Sequence, residues 1–277
     1  MGCSVLISFS PMDNPQPRRS LLLSLHHFSW RLLEIVDGIA RGLWSGLWLG
    51  LLTREHLHQV DQHSYTASRS YLGTDHNLSG LFSWEAEAID HYFKDCGRVV
   101  LLGAGAGREV APLLDRGFEV DAFECHDGLR ETGNDLLAHH EPRCFIQAME
   151  RDRCPDLDGN YDGVIVGWGM YTLIQGRERR IQLLRDLRAS VKPGNPMLLS
   201  FYVLGGPQRR YRIAARLGNI IRTVLGRERL DFGDDLSPGY GHFFTRKTIE
   251  EELKEAGWHL EFLDRRTYPH AVAIAEE

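Results

Sequence analysis

Lysine is scarce in this 277-residue chain. It occurs only at Lys94, Lys192, Lys247 and Lys254, so 28 of the 32 basic residues are arginine. Positive charge is not in excess either. The formal charge of −6 speaks against a general nucleic-acid binder. The five cysteines, Cys3, Cys96, Cys125, Cys144 and Cys154, are an odd set with no Cys-x-x-Cys pair. A disulfide framework does not suit a chain this long, and a structural zinc site has no support. Reduced thiols in a cytoplasm are the expectation. The N-terminus lacks the positive n-region of a secretory signal. Leu6 stands where a myristoylation pattern wants Ser or Thr. The uncharged run from Gly42 to Thr53 is about a dozen residues, against the roughly 20 that a spanning helix needs. Stable membrane insertion is therefore not expected.

Apolar residues make up 43% and charged residues 25%, the mix of a soluble globular protein. The length suits one large domain with added helices. Pro11, Pro15 and Pro17 mark residues 1–20 as a flexible leader. Residues 21–80 read as an N-terminal helical extension or lid, and 81–277 as the main domain, with a cap inserted over 205–241. The stretch Leu21 to Leu52 holds Trp30, Trp44 and Trp48 among leucines. A pair of helices packed on the domain explains it most simply. A lid, a homodimer contact and a membrane-surface helix are the alternatives. His56, His58 and His63 lie near Asp61 on a polar stretch and read as solvated, so no metal site is expected.

From Trp84 the pattern becomes regular. Residues 84–95 carry helical spacing. Val99 to Leu102 is wholly apolar, as a strand buried on both faces would be. A glycine turn and a helix to about Arg116 follow. Phe118 to Phe123, Cys144 to Met149 and Tyr161 to Val166 read as further strands. The intervening helix spans His126 to His140. The helix Glu178 to Val191, a fifth strand Met197 to Tyr202, an arginine-rich helix over 206–226, and a Thr245-capped helix to Ala256 come next. Strands His259 to Asp264 and Ala271 to Ala275 close the chain. Seven strands alternating with helices imply an α/β fold with a doubly wound, mostly parallel sheet.

The strongest chemical signal is the glycine turn after the first strand. Such a turn sits beside the crevice where open α/β sheets bind ligands. Its spacing is Gly103-x-Gly105-x-Gly107. A dinucleotide fingerprint would need glycine at 108, where Arg108 stands, and that disfavours a nicotinamide oxidoreductase. Glu124, 21 positions after Gly103, ends the second strand. An acid there can accept hydrogen bonds from both hydroxyls of a ribose.

Val99 to Val110, Glu119 to Glu124, Tyr161 to Tyr171 and Val191 to Tyr202 together resemble the class I S-adenosylmethionine-dependent methyltransferase family. His242-Phe243-Phe244-Thr245 and the acidic helix ending Ala256-Gly257-Trp258 resemble its last helix. The likeness covers roughly residues 80 to 276. It implies a Rossmann-like sheet whose final strand is antiparallel and inserted beside strand five. It implies S-adenosylmethionine as cofactor, with Gly103, Ala104, Gly105 and Gly107 in the turn beside it. Glu124 would hold the ribose and Cys125 would border the adenine. Glu150 is the first choice for an acid that bonds the adenine amine, with Asp152 as its rival. Gly167 and Trp168 would line the cofactor and the substrate entrance. Tyr65 and Tyr71 lie in a segment that folds over the cofactor in many relatives.

The implied chemistry is in-line attack on the methyl of a sulfonium by an oxygen or nitrogen nucleophile. The protein aligns the partners, excludes water and removes at most one proton. His242 is the first candidate for a base and Tyr171 the second, with Tyr202 and Tyr240 also near the mouth. No Asn-Pro-Pro-Tyr type sequence follows strand four, which argues against the common amino-methylating enzymes of nucleic-acid bases. Arg209, Arg210, Arg212, Arg216 and Arg222 make a basic helix face, either solvated or aimed at a carboxylate or phosphate. A small-molecule acceptor is the leading expectation. A protein or RNA acceptor, and a non-catalytic scaffold keeping the fold, are the alternatives.

Overall fold

The structure is a computed structural model that describes residues 20–67, 72–206 and 208–277. The leader, Cys3 and Tyr71 lie outside the described residues. Strand β1 (Arg98–Leu102) is buried along Val99–Leu102, because both faces of the sheet are covered. Around it a seven-stranded sheet assembles from β2 (Glu119–Glu124), β3 (Gln147–Ala148), β4 (Gly163–Val166), β5 (Pro196–Ser200), β9 (Trp258–Asp264) and β10 (His270–Ala275). Its order is β3-β2-β1-β4-β5-β10-β9. Strands β1 to β5 run parallel, while β10 pairs antiparallel with both β5 and β9. The final strand therefore lies beside strand five, as the resemblance implied. The switch in strand order falls between β1 and β4, which opens a crevice at their carboxyl ends.

One apolar layer packs β1, β4 and β5 against helix α8 (Arg177–Ala189) and helix α10 (Arg246–Glu255). The other packs the opposite face against helices α4 (Ser83–Tyr92) and α5 (Val110–Asp115). Helix α6 (Asp127–Leu137) starts where β2 ends. Strand three is only two residues long, far shorter than the stretch from Cys144 to Met149. Strand five ends at Ser200. After Phe201 the chain leaves the sheet as β6 (Tyr202–Val203), which pairs with β8 (Tyr240–Phe244), and β8 pairs with β7 (Asp234–Leu236). Helix α9 (Arg209–Val224) is inserted between β6 and β7.

The N-terminal stretch is one helix rather than two. Helix α1 (Leu21–Leu51) runs unbroken for 31 residues. Leu52 then turns extended, and the chain bends by 116° into helix α2 (Arg54–Ala67). Only Gly42, Ser45, Gly46, Leu49 and Gly50 of α1 are buried: the three glycines face α9, Ser45 accepts from the Leu236 N–H of β7, and Leu49 packs with Leu57, Leu230, Leu236 and Tyr240. No single described helix is long and apolar enough to cross a membrane.

Candidate active site

The crevice is built on the glycine turn. Gly103, Gly105 and Gly107 all adopt positive φ, at 69°, 56° and 87°, a region that side chains disfavour. Gly103 packs on the Met170 side chain, where a Cβ would sit 3.0 Å from it. A Cβ on Gly105 would meet no atom and would instead fill the crevice. Gly107 faces Leu137 and Ile146 and lets α6 approach; it does not line the crevice. Gly167 stands behind the turn, so close to the Gly103 carbonyl that only glycine fits. It too supplies packing rather than lining.

Glu124 braces the turn from the next strand. The Gly105 N–H donates to its Oε2 at 2.8 Å, and the His126 N–H donates to Oε1 at 2.8 Å. A carboxylate has about four acceptor sites, so each oxygen keeps capacity for one more donor. Cys125 lines the crevice beside it. Burial, then the Glu124 charge, pushes its thiol up to about 12, so it acts as an apolar wall rather than a nucleophile.

Past β3 the structure separates the two rival acids. Glu150 is exposed and pairs with Arg153 at 3.1 Å, away from the crevice. Asp152 lines the crevice, is 9% exposed, and is held at φ 61°, the one non-glycine positive φ among the described residues. A left-handed aspartate in a binding cleft is strain held by its surroundings. His58 Nε2 lies 3.1 Å from Asp152 Oδ2, and Arg151 pairs with the buried Asp61. Both partners sit on α2. The histidine cluster thus divides: His58 fastens α2 across the crevice instead of facing solvent. Tyr65, on the same helix, lines the crevice and stacks edge-on against His126.

Trp168 forms the far wall. Its ring contacts Phe82, His76 and Tyr268 at centroid distances of 5.2, 5.9 and 5.8 Å. Beneath it, Arg108 is buried and donates to Glu85 at 2.6 and 2.7 Å and to Glu109 at 2.5 Å. The position that breaks the dinucleotide fingerprint therefore ties α4 to the glycine turn. Two carboxylates face one guanidinium there. Burial, opposed by Arg108, pushes the Glu109 carboxyl up. His76 lines the same end, and burial, then Arg108, holds its imidazole below the usual value of 6.5.

Neither candidate base reaches the crevice. Tyr171, on the short helix α7 (Met170–Leu173), is fully buried and its hydroxyl donates to Glu252 at 2.7 Å. Burial, then the Glu252 charge, pushes that hydroxyl well above its ordinary range. His242 is 2% exposed, with Nδ1 2.8 Å from Asp234. Tyr240 donates to the same carboxylate, and Arg180 joins Asp231 and Glu252. Asp231, Asp234 and His242 bring ligating atoms within 4.8 Å of one another, but Arg180 already supplies the cation there. The residues following strands four and five read as crevice-facing from sequence. In the structure that holds for Tyr202, whereas Tyr171, Tyr240 and His242 belong to a buried polar network under α8 and α10.

His76, Asn77 and Arg151 also line the crevice and carry no sequence motif. They converge only because helix α3 (Thr74–Asn77) and the loop after β3 meet across it.

No protein-family model matches the sequence, and no curated protein matches it. Solved structures do share its fold. A methyltransferase from Methanosarcina mazei, described as S-adenosylmethionine-dependent, is 14% identical, with 71% of this chain and 99% of that one covered at a TM-score of 0.55. CalS10 from Micromonospora echinaspora, described as an amino pentose methyltransferase with bound S-adenosylmethionine, is also 14% identical. Coverage is 76% of this chain and 96% of that one, at a TM-score of 0.51. The sugar N-methyltransferase KedS8 from a Streptoalloteichus species is 12% identical, with 75% and 91% covered at a TM-score of 0.54. The fold is the Rossmann-like fold of S-adenosylmethionine-dependent methyltransferases.

Proposed function

We propose that the chain binds S-adenosylmethionine in the crevice and transfers its methyl group to the oxygen or nitrogen of a small-molecule acceptor. The observation that carries this reading is Glu124. Its carboxylate is fixed by two backbone N–H groups at the lip of a glycine turn, and one acceptor site per oxygen remains for the two hydroxyls of a ribose. The residues around it suit the rest of the cofactor. Cys125, Leu129 and Met149 offer a flat apolar slot for adenine, with Asp152 at its edge for the exocyclic amine. The open space at Gly105 admits the sugar–methionine junction.

When bound, the cofactor supplies an activated sulfonium methyl. The chain's residues then have three tasks. Trp168 and Tyr202 wall the entrance and exclude water on the side where an acceptor must enter. Helix α2, fastened through His58 and Asp61, closes the opposite side. His76 lines the crevice, and burial, then Arg108, holds its imidazole below the usual value, which supports it as the group that takes a proton from the acceptor. That assigns to His76 the role first read for His242. The structures of like fold described as an amino pentose methyltransferase and a sugar N-methyltransferase support a small polar acceptor.

The test uses S-adenosylmethionine with a labelled methyl group, the purified chain, and a cell lysate split into small-molecule and macromolecular fractions. Label in the small-molecule fraction is expected. Label in protein or RNA alone would move the acceptor class. Cofactor binding without label anywhere would favour the scaffold.

A further inference from the structure

Helix α1 turns its small residues inward and its large apolar ones outward. Gly42, Gly46 and Gly50 meet α9 so closely that a Cβ on Gly46 would stand 2.7 Å from the Ala214 carbonyl oxygen. One on Gly50 would stand 2.8 Å from Ile221 Cβ. On the same helix Leu43, Trp44, Leu47 and Trp48 are 48, 49, 41 and 41% exposed. In water the opposite arrangement is favoured, with large apolar groups inside. Small residues four apart at a helix seam, with large apolar side chains turned outward, match the pattern of helices that contact lipid.

The apolar face continues beyond the body of the protein. Residues 21–37 of α1 are exposed throughout. At 100° per residue, Leu25, Leu32, Val36 and Ile39 fall within about 80° of the line of Leu43 and Leu47. Trp30, Trp44 and Trp48 fall within about 40° of one another, at the azimuth of Asp37 and Arg41. Tryptophans on the border between an apolar face and charge suit the headgroup level of a bilayer. The face is about 45 Å long, and contiguous apolar surface on that scale often marks an interaction site.

Charge selects the occupant. Helix α9 holds five arginines and no acid, in a protein of net charge −6. Arg209, Arg212 and Arg216 are exposed. Ile220 and Val224, 65 and 82% exposed, continue the line of Arg212 and Arg216 in steps of four. An apolar face bordered by a cationic helix complements an anionic lipid surface. A second copy of the chain would bring the same cationic helix and meet like charge. We infer that α1 lies in the plane of an anionic bilayer, apolar face down, with the exposed arginines of α9 against the headgroups. The inference does not depend on the cofactor reading.

The test is flotation of the full chain with vesicles of phosphatidylcholine alone or with about one quarter phosphatidylglycerol, followed by tryptophan emission. Flotation with the anionic vesicles and a blue-shifted emission are expected. Leu32→Glu/Val36→Glu, on turns exposed among the described residues, should lower partitioning on the order of 100-fold. Arg212→Gln/Arg216→Gln should weaken binding to anionic vesicles by about fivefold per arginine and leave neutral vesicles unaffected. Equal binding to both vesicle types would overturn the charge argument. A chain that stays in the aqueous layer would overturn the inference. So would a dimer in light scattering that Leu32→Glu/Val36→Glu dissociates without any vesicle binding, which would assign the face to a second copy.

Discussion

Replacing Glu124 by Gln separates the two jobs that this residue holds. The wild-type carboxylate accepts from the Gly105 and His126 N–H groups, both at 2.8 Å. A glutamine keeps one oxygen for one of them. Its NH2 must then face the other donor, so one charge-assisted bond is lost and the second becomes neutral. Hydrogen bonds to charged groups contribute about 1.5–3 kcal/mol each, against about 1 kcal/mol for neutral ones. The free protein should therefore lose about 2–5 kcal/mol of stability, a fall of roughly 4–20 °C in Tm. Binding carries a separate loss. A ribose hydroxyl that donates to a carboxylate must now donate to an amide or find no acceptor. About 1.5–3 kcal/mol corresponds to roughly a 10- to 150-fold rise in Kd. Calorimetric titration with S-adenosylhomocysteine, well below the melting range, reads the second effect without the first. A fall in Tm with Kd changed less than about threefold would leave Glu124 a brace for the turn and refute the ribose assignment.

Three further predictions follow from the same geometry. Asp152→Asn should weaken binding of S-adenosylhomocysteine by about tenfold or more, while Glu150→Gln should change it little; the reverse order in calorimetry would restore Glu150 as the adenine partner. His76→Gln should slow the chemical step by about 10²–10⁴-fold with cofactor affinity kept; a single-turnover rate unchanged from wild type would remove the proton-acceptor role. The raised carboxyl of Glu109 favours protonation in the folded state. Its contribution to stability is full below the ordinary value of 4.5 and fades as pH rises through the raised folded value. Wild type should thus lose stability relative to Glu109→Gln between about pH 4.5 and pH 8. A difference in urea midpoints that stays flat over that window would contradict this.

The sheet was legible because its strands are wholly apolar runs bounded by glycine turns. Val99–Leu102 and Gly163–Val166 pair in the register that such runs demand, and the antiparallel last strand followed from the family likeness. The β3 strand was overestimated because its side chains do not alternate, and only Gln147 and Ala148 join the ladder. At the crevice, Gly103, Gly105 and Glu124 stood out because a glycine turn and an acid at neighbouring strand ends are readable as residue types at fixed spacing. Asp152 and Glu150 could not be told apart, since one residue of loop conformation decides which faces the crevice. Tyr171 and His242 misled for a related reason. Position after a strand places a residue near the crevice end, but the partner carboxylates of Glu252 and Asp234 draw these two side chains into the buried layer. His76 and Arg151 were invisible because they gain their place only from contacts between segments far apart in sequence. Helix α1 showed its apolar content plainly. The glycine seam that decides which side is buried needed α9 as a partner.

The central claim is that the crevice is an S-adenosylmethionine site. The most direct measurement is calorimetric titration of the purified chain with S-adenosylhomocysteine, with NADH as control. Saturable one-to-one binding of the first and none of the second is the predicted result. Binding of NADH alone, or of neither ligand, would contradict the account.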